Sequence, residues 1–64
     1  MKKEMKVAAC EELLATTEKL AVVAGNLYAA ALLGNPFDKH EKESLVKLTK
    51  KARALGKTLA QAGV

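Results

Sequence analysis

Leu32-Leu33-Gly34-Asn35-Pro36-Phe37-Asp38-Lys39-His40-Glu41 is the stretch that decides how this chain folds, because it holds the one break in an otherwise helix-forming sequence. Gly34 suits the left-handed residue that ends a helix, having no Cβ to clash there. The second helix has two possible starts. Asn35 can cap a helix with Pro36 at its first position, where a missing N–H is no loss. Asp38, with Glu41 three residues on, is a capping-box variant that starts the helix later. Apolar spacing on either side predicts helix 1 over about 4–33, a turn at 34–37 and helix 2 over about 38–62. The fold class expected is all-α, one helical-hairpin domain across 1–64.

Outward from the break, each helix carries a heptad frame. In helix 1, Cys10, Thr17, Ala24 and Ala31 fall at a, and Leu13, Leu20 and Leu27 at d. In helix 2, Leu45, Ala52 and Leu59 fall at a, and Leu48, Leu55 and Ala62 at d. Folded back at Pro36, the frames mirror each other. Leu27 faces Leu45, Ala24 faces Leu48, Leu20 faces Ala52, Thr17 faces Leu55, Leu13 faces Leu59 and Cys10 faces Ala62. Every pair sets an a position against a d position, as antiparallel packing requires, and several set a small residue against a leucine. The expectation is an antiparallel hairpin in that mirrored register.

A chain of 64 residues buries only about 60% of the surface its unfolded form exposes, so its own core is marginal. Domains of this size rely on disulfides, a metal or a partner. Cys10 is the single cysteine and His40 the single histidine, so neither an intrachain disulfide nor a Cys/His zinc site can form. Self-association remains. Helix 1 supplies surface for it: Leu14, Ala21, Val23 and Tyr28 flank the seam, Ala8, Ala15, Val22 and Ala29 point outward, and Leu32 and Leu33 extend the apolar surface at the loop end. A helix that is apolar all round is usually buried. A homodimer of hairpins, making a four-helix bundle, is expected, or a higher helical oligomer. Val22, Gly25, Tyr28, Ala29, Leu32 and Leu33 are the candidate partner or oligomer surface.

Charge is uneven along the chain. Residues 1–33 hold four lysines and four glutamates, whereas residues 34–64 hold seven basic and three acidic residues, giving the net +4. Acids at the start of helix 2 and bases toward its end favour the helix macrodipole. Lys47, Lys50, Arg53 and Lys57, with Lys51 beside them, also form a basic stripe that could contact phosphates or an acidic partner. The stripe has no aromatic residue for base stacking, so nucleic-acid contact would read backbone and shape. In length, hairpin and alternating core layers the chain resembles the Rop family, plasmid RNA-binding hairpins that dimerise into four-helix bundles. That resemblance covers architecture and no sequence motif. It implies RNA on a bundle face formed by one helix from each subunit.

Chemistry finds no foothold. Glu11 and Glu12 are adjacent and point to different sides of a helix, Cys10 and His40 lie at opposite ends of the hairpin, and no glycine-rich phosphate loop occurs. Cys10 reads as a small core residue. No catalytic residue, cofactor or metal is expected, and the chain is not expected to be an enzyme. Val7-Ala8-Ala9-Cys10 resembles the end of a lipoprotein signal, but Glu4 and Lys6 interrupt the apolar segment that should precede it. Leu20 to Phe37 carries no charge, yet its helical part is too short for the ~20 residues a bilayer needs. Asn35-Pro36-Phe37 matches the tripeptide bound by EH domains, though turn chemistry explains its Asn and Pro. A thiol-only chain without membrane insertion points to a cytoplasmic protein. The function expected is a protein-interaction module, a small adaptor, chaperone or inhibitor, acting as a homo-oligomeric bundle. An Rop-like RNA-binding bundle is the alternative.

Overall fold

The computed structural model describes residues 2–62 and contains two helices, α1 (Lys3–Leu33) and α2 (Lys39–Ala62), packed against each other as a hairpin. The break behaves as its residues dictate. Gly34 adopts φ 71° and ψ 19°, its N–H donates to the Ala31 carbonyl at 3.1 Å, and the Asn35 N–H donates to the Ala30 carbonyl at 2.9 Å. These two bonds form a Schellman motif, which satisfies carbonyls that the end of α1 would otherwise leave unpaired. Of the two possible starts for α2, Asp38 is the one used. Its Oδ1 accepts from the His40 N–H at 2.7 Å, and its carbonyl accepts from the Lys42 N–H at 3.0 Å. Asn35, Pro36 and Phe37 are the connection between the helices.

The seam of α2 is the expected one: Leu45, Leu48, Ala52, Leu55, Leu59 and Ala62 are all partly buried. The seam of α1 is not. Leu13, Leu20 and Leu27 are partly buried as expected, but Cys10, Thr17, Ala24 and Ala31 are exposed. Their place is taken by Ala9, Thr16, Val23 and Ala30, each one position earlier. Cys10 is therefore not a core residue of the hairpin. The physical reason lies in α1 itself, which is apolar on nearly every side. The leucine row can join a small-residue row on either flank, so hydrophobic periodicity leaves the rotation of α1 open.

Rotation changes register as well, because the knobs of two packed helices must interleave. The Nζ of Lys51 lies 3.0 Å from Oε1 of Glu12. In the mirrored register Glu12 would be level with Ala60, nine residues from Lys51 and ~13 Å away along the axis at ~1.5 Å per residue. Added to an interaxial gap of ~8–10 Å, that is beyond the combined reach of the two side chains. Displacing α2 by about one turn toward the start of α1 allows the ion pair. It also accounts for the groove in which Lys19, Val22 and Val23 meet Ser44, Lys47 and Leu48. The pairing of Leu20 with Ala52 and Leu13 with Leu59 is thus corrected: in the displaced register Leu20 is level with Leu48, Leu13 with Leu55, and Thr16 with Ala52.

Packing inside the hairpin is thin. Thr16, at 3% exposure, is the one fully buried residue among those described, and no apolar side chain joins it. Its hydroxyl donates to the Glu12 carbonyl at 2.8 Å, so no polar group is left unpaired there. Its counterpart in the displaced register, Ala52, is partly buried. The hairpin is a rod with principal extents of 47 × 17 × 14 Å and a Cα radius of gyration of 14.6 Å. A compact chain of this length would have a radius of ~11 Å.

Candidate functional site: an uncovered helical face

Burial divides the hairpin into sides. Glu12, Lys19 and Val22 of α1 meet Lys51, Ser44 and Lys47 of α2 along one side of the seam, through the ion pair and an open groove of about 460 Å³. The groove is lined by apolar Val22, Val23 and Leu48 together with Lys19, Ser44 and Lys47. That side carries charge on both helices.

The opposite side of the seam is different. Val7, Leu14, Ala21 and Tyr28 recur every seven residues along α1, and Cys10, Thr17, Ala24 and Ala31 run beside them; all are exposed. Leu14 is 60% and Tyr28 67% exposed, values far from a core. These two rows alternate by three and four residues, the spacing of a second heptad seam. On α2 the same side bears exposed Val46 and Ala60, partly buried Thr49 and Gly56, and Arg53 between them. From Val7 to Leu33 the charged residues are Glu11, Glu12, Glu18 and Lys19, and none of them falls on the second seam. α1 thus carries two adjacent uncharged faces, and the hairpin covers one.

The candidate surface residues fall into groups. Val22, Ala29 and Leu33 share the groove side of α1, Tyr28 belongs to the second seam, and Gly25 and Leu32 point outward between them. All six are exposed, and of the four large side chains Leu33 is the most so at 75%. Of the basic candidates, Lys47, Lys50, Arg53 and Lys57 are all exposed on α2, while Lys51 is the partner of Glu12. That pair is about half exposed, so its worth is at most about 1 kcal/mol. Three surface features were not singled out in the sequence: Val7, Val46 and the acidic row Glu4, Glu11 and Glu18. The seven-residue spacing of that row was the available signal.

Among the described residues no cluster of His, Cys, Asp or Glu could hold a metal ion, and no helix is long and apolar enough to cross a membrane. Comparison with protein-family models gives no match, and neither do the curated proteins or the solved structures.

Proposed function

We propose that this chain is a non-enzymatic interaction module that self-associates into a helical bundle and binds another protein through the surface left outside. One observation carries the reading: the hairpin exposes 5049 Å², whereas a compact monomer of 6.8 kDa would expose only about 4,000 Å². The excess, ~1,000 Å², is on the scale that a stable interface removes from each partner, ~800 Å² or more. With no apolar side chain fully buried among the described residues, the hairpin has too little core to be the stable unit. Self-association through the second seam supplies that core. Val22, Ala29 and Leu33 beside the groove then remain outside the bundle for a second protein. A reducing, cytoplasmic setting suits the thiol of Cys10.

Capture experiments with wild type and with the Val22→Glu and Leu33→Glu variants test this reading. Both variants should keep the bundle's mass and lose the partner. A partner retained by both would refute the assignment of that surface. The alternative, an RNA-binding bundle, draws on the exposed Lys47, Lys50 and Lys57. It predicts a mobility shift with structured RNA at low salt, and affinity falling steeply as salt rises. We expect no shift at ~10 μM protein, a concentration at which non-specific binders already associate.

A further inference from the structure

We infer that the second copy docks on the face bearing Leu14, Ala21 and Tyr28 with the two-fold axis parallel to the helices, so that α1 of each hairpin packs against α2 of the other and both loops lie at one end. This rests on the self-association proposed above and fixes its geometry. Two hairpins can stack through that face in two symmetric ways. An axis parallel to the helices sets α1 against α2 of the copy. An axis perpendicular to them sets α1 against α1 and α2 against α2.

Charge decides between them. Glu11 and Glu18 stand on α1 at the outer edge of the face, and Lys50 and Lys57 stand at the corresponding edge of α2; all four are exposed. Each pair is spaced by seven residues, so each forms a straight row. In the register set by the Glu12–Lys51 ion pair, Glu11 is level with Lys57 and Glu18 with Lys50. The parallel axis brings each acid beside the lysine at its own level in the second copy, twice over by symmetry. The perpendicular axis places the row of Glu11 and Glu18 beside its own copy. It does the same with the row of Lys50 and Lys57, which Glu43 continues toward the loop. The like charges brought together there are destabilising.

Gly56 fits the same contact. A Cβ built on it meets nothing within 4 Å, so nothing inside the hairpin requires a glycine in mid-helix, where it weakens α2 relative to alanine. It lies on the docking side of α2, at nearly the level of Leu14, whose side chain from the second copy would close over it. The geometry has a consequence for the RNA alternative. No face of this bundle consists of two α2 helices, and Lys50 and Lys57 are engaged by acids.

A spin label on Asn35→Cys in a Cys10→Ala background reads the orientation directly, with sedimentation run on the same sample. Loops at one end should give label separations below ~30 Å, since neighbouring axes are ~8–10 Å apart. Loops at opposite ends would give ~45 Å, the length of the 31-residue α1 at ~1.5 Å per residue. A dimer with the long distance overturns the orientation and leaves self-association standing; a monomer overturns both. Charge exchange is the second test. Glu11→Lys with Glu18→Lys should raise the dimer dissociation constant at least ~10-fold. Adding Lys50→Glu with Lys57→Glu to the same chain should restore it. Failure of that rescue in a folded protein contradicts the pairing.

Discussion

At the residue scale, the sequence was most readable where one side chain has one job. Gly34 ends α1 in the left-handed conformation and Asp38 caps α2 through the His40 N–H. The choice between Asn35 and Asp38 was open because both are good capping residues. Asn35, Pro36 and Phe37 reach across to the second helix, and Asp38 is where the new helix begins. Replacing Asp38 with Ala should lower stability by ~1 kcal/mol, read as a lower melting temperature at fixed protein concentration. An unchanged melting temperature would mean that the cap contributes nothing. Thr16 makes the opposite kind of demand. It is buried at 3% exposure, so Thr16→Leu should overpack its layer and destabilise by ~1–3 kcal/mol. Glu12→Gln, by contrast, removes a half-exposed ion pair and should change stability by no more than ~1 kcal/mol.

At the scale of elements, the two helices differ in how far their sequences constrain them. α2 is amphipathic, with Lys47, Lys50, Lys51 and Lys57 along its outer and groove sides, and its seam was legible residue by residue. α1 has almost no sidedness, so its leucine row was legible and the row beside it was not. Its rotation is fixed by fit against α2, a property of the pair that heptad spacing in either helix does not encode. The register followed the rotation, and a displacement of about one turn was the result. The exposed face was legible in part: Leu14, Ala21 and Tyr28 stood out as apolar residues beyond the first seam, while the alignment of Glu11 and Glu18 with Lys57 and Lys50 needed the actual register. Two substitutions test the second seam. In an isolated hairpin Leu14→Ala alters an exposed side chain and should matter by less than ~0.5 kcal/mol. Buried between two copies it should cost ~2–5 kcal/mol, comparable to Leu20→Ala in the first seam. Gly56→Ala should behave oppositely in the two states, stabilising a lone hairpin by up to ~1 kcal/mol and weakening the dimer if Leu14 of the second copy packs over it. Denaturation at several protein concentrations separates the two effects.

At the scale of the whole molecule, the hairpin exposes more surface than a compact chain of its mass. It has a defined turn, one seam and a rod-like shape, and it leaves α1's second apolar face in water. The proposed second copy on that face would turn two thin hairpins into a bundle with a core, and the protein-binding role proposed above depends on that step. Stability should then depend on protein concentration, because association favours the folded state by mass action. Cys10, exposed in the hairpin and placed on the second seam, should react quickly with a thiol reagent when dilute and slowly when concentrated. Sedimentation equilibrium of the full chain, from roughly 1 to 100 μM in moderate salt, tests self-association most directly. A helical species whose mass approaches twice 6.8 kDa as concentration rises is the predicted result. A folded species that stays at 6.8 kDa throughout, with a melting temperature independent of concentration, would contradict it.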